Sequence, residues 1–177
     1  MRLFAFPNPV NEVSARLVAG GVVLLSLFAL VSGELWLTAA IAYGFVARVL
    51  TGATLSPLGQ LVTRVITPRL PVAARPVPGP PKRFAQGIGA VVSVNAAVLG
   101  LGFGLEAAAY ALLGMLVVAA TLESVFGFCL GCKLFAVLMR VGIIPTEVCE
   151  RCHDIWGDPG VSAATGSLRR VLVRLDA

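Results

Sequence analysis

Charge is scarce in this chain. Of its 177 residues, 13% are Asp, Glu, Lys or Arg, and 58% are apolar. Soluble domains average about 25% charged and about 45–50% apolar residues. A water-soluble enzyme of this length could not bury so much apolar surface, and a disordered chain is excluded outside the ends. Histidine occurs once, and lysine is nearly absent, since twelve of the fourteen basic residues are Arg. The formal charge of +5 would suit a nucleic-acid partner only if the basic residues were clustered. They are few and lie between apolar spans, so no nucleic-acid partner is expected and the bilayer is the expected surrounding.

Long apolar runs fill the chain instead. A helix needs about 20 mostly apolar residues to cross a bilayer. Four such spans are expected: about 13–31, with Arg16 one turn in; 35–55, with Arg48 inside; 84–105, uncharged; and 107–126, with Glu123 near its end. The fold class is all-α, a polytopic membrane protein of two helical hairpins forming a domain over 1–140, followed by a Cys-containing tail over 141–177. Ser32-Gly33-Glu34 and 102–106 are the short turns. The first span could alternatively be read as a signal peptide cleaved near Val31-Ser32-Gly33, but the repeat described below requires it.

Orientation follows from the basic residues. Arg64, Arg69, Arg75, Lys82 and Arg83 lie in the long connection, and Lys133, Arg140, Arg151, Arg169, Arg170 and Arg174 follow the last span. The short turns carry only Glu34 and Glu106. The positive-inside rule then places both termini and the long connection in the cytoplasm, in the bacterial cytoplasmic (inner) membrane. The stretch 67–82 holds six Pro and reads as a semi-rigid, extended linker. Ser56 to Ile66 reads as a short amphipathic helix on the membrane surface.

The two halves resemble each other weakly. Glu34 and Glu106 lie 72 residues apart, as do Leu58-Gly59 and Leu130-Gly131. ARLVAGG and KRFAQGIG each place an Arg four residues before a Gly at a span entrance. A parallel internal repeat is expected. The second half has Cys129 and Cys132 where the first has Pro57 and Gln60, so any specialised chemistry belongs to the second half.

That chemistry centres on two pairs, Cys129-Leu-Gly-Cys132 and, sixteen residues on, Cys149-Glu-Arg-Cys152. Cytosolic thiols are kept reduced, which argues against a permanent disulfide. One reading is thiol exchange or sulfur relay, with Cys129 and Cys132 reactive and Cys149 and Cys152 as second pair. A thiol at a helix start lies at the positive end of the helix dipole and loses its proton more readily. The second reading is a scaffold whose four Cys hold Zn, since the spacing lies within the range for structural sites. Cys149 to His153 also matches a haem-attachment motif, but that attachment occurs outside the cytoplasm. A small transporter is a further alternative, although no discontinuous helix with convergent polar groups is evident. Arg48 and Glu123 lie at similar membrane depth and are expected to form an intramembrane ion pair. Asn95 is expected to bond between helices.

Three stretches carry a family resemblance: ARVLTGATLSPLG (47–59), RFAQGIGA (83–90) and FGFCLGCKLF (126–135). They resemble an uncharacterised bacterial "domain of unknown function" family of small four-helix membrane proteins, over roughly residues 5–140. Members are often encoded near thioredoxin-like and rhodanese-like proteins. The resemblance implies the fold, a context of thiol or sulfur handling and a partner of one of those two kinds. Cys129 and Cys132 match the family's CxxC; Cys149 and Cys152 lie beyond the matched part.

Overall fold

The computed structural model describes residues 8 to 145 and Val148. Its helices are α1 (Glu12–Ser32), α2 (Trp36–Thr51), α3 (Pro57–Leu61), α4 (Gly79–Ala97), α5 (Glu106–Phe126) and α6 (Leu130–Arg140). Two π-helical turns, Val62–Ile66 and Val98–Gly102, extend α3 and α4. A two-residue antiparallel ladder pairs β1 (Val10–Asn11) with β2 (Pro76–Val77) and ties the chain start to the entrance of α4. The all-α class therefore holds.

Three helical stretches are long and apolar enough to cross a membrane: Glu12–Ser32, Gly79–Gly102 and Glu106–Phe126. Only 22–33% of their apolar windows is buried within the bundle, so most of each faces outward, as in a protein solvated by lipid. The expected second span is shorter than its sequence suggests. Gly52 adopts φ 66° and stops α2 after 16 residues. The third begins earlier than expected. Pro80 and Pro81 stand in the first turn of α4, where the missing proline N–H costs no helical bond. Lys82 and Arg83 therefore belong to the helix, and the extended linker ends before Gly79.

Packing crosses between the hairpins. α1 lies chiefly against α5 and α2 chiefly against α4, whereas α1 and α2 touch much less. The core between them holds Val22, Leu37, Ile41, Phe45, Leu113 and Leu116. Phe45 packs its ring against Gly89, where any Cβ would collide with it. Arg16 near the start of α1 donates to the carbonyls of Ser124 (3.2 Å) and Val125 (2.7 Å) at the end of α5. Arg83 near the start of α4 donates to the carbonyl of Val49 (3.0 Å) at the end of α2. The last carbonyls of a helix have no partner within it, so each hairpin supplies an arginine cap to the other. These contacts bring the starts of α1 and α4 and the ends of α2 and α5 to one end of the bundle. Asn95 faces outward and bonds the Val91 carbonyl of its own helix (2.7 Å), not another helix.

Candidate functional site

The end of α5 creates the site. Gly127 takes φ 68°, and its N–H bonds the Glu123 carbonyl (3.1 Å) while Phe128 N–H reaches Leu122 (3.0 Å). Only glycine adopts this left-handed conformation at little cost. The chain turns there, and Cys129, extended at φ −86°, ψ 104°, becomes the residue that opens α6. Cys132 lies in the first turn of α6, where unpaired N–H groups and the helix dipole favour negative charge nearby.

Gly131 lies between the two cysteines and explains why α6 can dock. A Cβ there would stand 2.5 Å from the Ala85 Cβ and 2.6 Å from its Cα. The absence of a side chain lets α6 approach the backbone of α4. Phe135 and Phe84 continue the contact, with ring centres 5.5 Å apart. Cys129 is buried at 7% exposure and Cys132 is half-buried; neither is in a disulfide.

The cysteines lie within electrostatic reach of a buried ion pair. Lys82 Nζ of α4 meets Glu123 Oε1 of α5 at 2.7 Å, with side-chain exposures of 10% and 15%. The expected Arg48–Glu123 bridge is not the one formed. Arg48, buried at 6% exposure, donates through Nε to Gln86 Oε1 (2.9 Å) and through Nη1 to the Ser56 hydroxyl (3.2 Å). Its guanidinium also lies 4.4 Å from the centre of the Phe45 ring. The reason is positional: because α4 starts at Gly79, Lys82 stands beside Glu123 and takes its carboxylate. Arg48 remains close enough to feel that carboxylate electrostatically.

The two thiols differ in acidity. The Cys129 thiol is held below its ordinary value, chiefly by a hydrogen bond from the Cys132 side chain, with a smaller pull from Lys82 that burial and Glu123 oppose. The Cys132 thiol is pushed up, first by that same hydrogen bond, then by burial and by charge on Cys129. The arrangement favours proton loss at Cys129 before Cys132.

Among the described residues, no three of His, Cys, Asp and Glu converge as metal ligands would. Cys149, Cys152 and His153 lie outside the described residues, so the second thiol pair and the four-cysteine zinc arrangement are not placed. Two contributors escaped the sequence reading. Lys82 reads in the sequence as part of the proline-rich linker. Gly131 was visible as the x-Gly of the CxxC, but only its distance to Ala85 reveals the need for it.

A family model described as Domain of unknown function (DUF4395) matches residues 10–140. No curated protein and no solved structure matches the chain. The chain belongs to the DUF4395 family, and the match contains every described residue of the site, from Arg48 to Cys132.

Proposed function

We propose that this DUF4395 member is a four-span protein of the bacterial cytoplasmic membrane, with both termini inside, that relays thiol-disulfide or sulfur equivalents at the inner face through Cys129 and Cys132. Support for a fourth span comes from α2. Its 16 residues reach roughly 24 Å, short of a hydrocarbon core of about 30 Å. Yet it lies along α4 and runs back to the end of the bundle where α1 begins. The repeat is supported by the matched pairings of α1 with α5 and α4 with α2, and by the reciprocal caps from Arg16 and Arg83.

The observation that carries the reading is a count of charge. Arg48, Lys82 and Glu123 place two buried cations and one carboxylate together. A net positive charge in a poorly solvated place is costly unless paired. A Cys129 thiolate supplies the missing negative charge and makes the cluster neutral.

Burial and acidity then divide the labour. Cys132 is the more exposed residue of the two, and Cys129 the better leaving group. Starting from a Cys129–Cys132 disulfide, a donor thiolate attacks the Cys132 sulfur. The sulfur–sulfur bond breaks, and its electron pair leaves on Cys129, where Lys82 and the helix start stabilise it; a more acidic leaving thiol departs faster. A second thiol of the donor then attacks the donor sulfur of the mixed disulfide. The donor becomes a disulfide, and Cys132 leaves and takes up the proton. A thioredoxin-like dithiol has the chemistry this step needs, and a rhodanese-like persulfide protein would be the sulfur-carrying counterpart.

The test is a redox titration of the protein in lipid nanodiscs against dithiothreitol, read by mass spectrometry of alkylated peptides. A two-electron couple linking Cys129 to Cys132 is expected. No such disulfide at any poise removes the relay. Stoichiometric zinc protecting Cys129, Cys132, Cys149 and Cys152 from alkylation would assign the zinc scaffold in its place.

A further inference from the structure

Asn95 carries a polar group into surroundings that offer it nothing. It lies seven residues before the end of the apolar stretch Gly79–Gly102, so roughly 10 Å inside the span. Its side chain is exposed, and one amide N–H donates to the Val91 carbonyl of its own helix (2.7 Å). A carboxamide has two N–H donors and an oxygen acceptor. Among the described residues, the second N–H and the Oδ1 of Asn95 have no partner. By contrast, Ser26, Thr38 and Ser93 of α1, α2 and α4 turn inward and are buried. Acyl chains have neither donors nor acceptors, and a side chain this short cannot reach the headgroups as Lys or Arg does.

The residues around Asn95 form a regular seam. Ile88, Val91, Asn95 and Val98 are all exposed. Their steps of three, four and three residues place them along one line of α4. In a left-handed pair of helices these are alternating a and d sites, with Ile88 and Asn95 at a, Val91 and Val98 at d. Ile and Val are stiff at χ1, so they lose little rotamer freedom when they pack. A single Asn at an a site sets the register of such a pair and its oligomeric state. The seam starts one turn after Phe84, which meets Phe135 of α6, so the docking of α6 leaves it open.

We infer that α4 pairs two copies of this chain in the plane of the membrane along Ile88, Val91, Asn95 and Val98, with the two Asn95 amides bonded to each other across the two-fold axis. Hydrogen-bond complementarity selects this occupant. Whatever covers the seam must bring one donor and one acceptor to the depth of Asn95. A second copy inserted in the same direction presents an identical amide at that depth. Each free N–H then meets the other copy's Oδ1, and the two-fold axis makes both bonds at once. The inference rests on α4 crossing the bilayer and is independent of the thiol chemistry.

Two measurements on the full chain test it. The first is stoichiometry in lipid vesicles, read by single-molecule photobleaching of a fluorescent protein fused after Ala177, over a range of protein-to-lipid ratios. Two-step bleaching should rise with protein density along a dimer isotherm. Asn95→Val removes both shared bonds and should weaken association by roughly three- to thirtyfold. Asn95→Gln keeps an amide and should restore most of it. One-step bleaching at every density overturns the inference, because lipid alone then covers the seam. Association that Asn95→Val leaves untouched overturns it too. The second measurement locates the contact. A benzophenone amino acid replaces Val91, or Val98 should the first variant not fold, in a mixture of isotope-light and isotope-heavy chains. Illumination should join a light α4 to a heavy α4. The same group at Val118, exposed on α5, is the control and should join copies far less often. Equal linking through Val118, links confined to one chain, or capture of a different protein in cell membranes in place of a second copy each refute the pairing.

Discussion

Replacing Glu123 by Gln should harm the bundle more than replacing Lys82 by Met, although the two residues share one ion pair. At 2.7 Å and an effective dielectric of about 20, their attraction is about 6 kcal/mol. Desolvation of both groups offsets much of it, and breaking one partner of such a pair costs roughly 3–5 kcal/mol. The asymmetry comes from Arg48. Glu123→Gln leaves Lys82 and Arg48 against the Cys129 thiolate alone, a buried excess of positive charge that no protonation can remove. Lys82→Met lets Cys129 take up a proton, which leaves Arg48 and Glu123, a neutral set. The first change should therefore cost about 4 kcal/mol and the second about 2 kcal/mol, allowing for partial exposure of the pair. The double change, Lys82→Met with Glu123→Gln, should cost less than the sum, with a coupling of at least about 1 kcal/mol. The assay is thermal survival in detergent, scored as the temperature at which half the protein still elutes as a monodisperse peak. It must avoid thiol dyes, since the cysteines are part of the site. Equal costs, or a larger cost for Lys82→Met, would refute the charge count, and with it the argument that a Cys129 thiolate completes the cluster.

Three further outcomes are expected. Gly131→Ala drives a Cβ into the Ala85 backbone and should cost about 1–3 kcal/mol as overpacking, with Cys129 and Cys132 becoming more reactive to maleimide as α6 lifts; unchanged stability and reactivity would mean that α6 does not dock as described. In reduced protein, iodoacetamide should modify Cys129 at pH values below the ordinary thiol range while Cys132 stays protonated; peptide mass spectrometry across a pH series checks the order, and Cys132 reacting first at low pH contradicts it. Reporters fused after Arg75 and after Ala177 should read cytoplasmic, and reporters at Ser32 or Glu106 should read outside; a C-terminal reporter on the outer side overturns the proposed orientation.

The helices were legible in the sequence because nothing competes with an apolar run of this length in lipid. All four apolar segments form helices, and α1 and α5 keep their expected bounds to within a residue. Two of the errors, the start of α4 and the ion pair, share one origin. Prolines at 80 and 81 read as linker, whereas at a helix start they are compatible with the fold. That one boundary removed Lys82 from the bundle, and without Lys82 the only partner in view for Glu123 was Arg48. A slip of about five residues in secondary structure thus became a wrong ion pair. The CxxC was legible as chemistry, but the unequal acidity of its thiols depends on the side chains brought around them. Those are Glu123 at the end of α5 and Lys82 of α4, the second far away in sequence.

The exchanged arginine caps bear on how the chain is made. Synthesis runs from the N-terminus, so α1 and α2 are made before α4 and α5 exist. At that moment Arg16 has no helix end to cap, and the carbonyl of Val49 still lacks Arg83. The first hairpin must wait with its main packing faces unfilled, and the proline-rich connection must hold the second hairpin near enough to dock against α1 and α2. Neither half is a finished object. A product that stopped after residue 78 would leave α2 uncapped and α1 and α2 without their principal neighbours, an incomplete intermediate open to membrane proteases. Two separately expressed halves, by contrast, each carry the caps the other lacks and have reason to find one another.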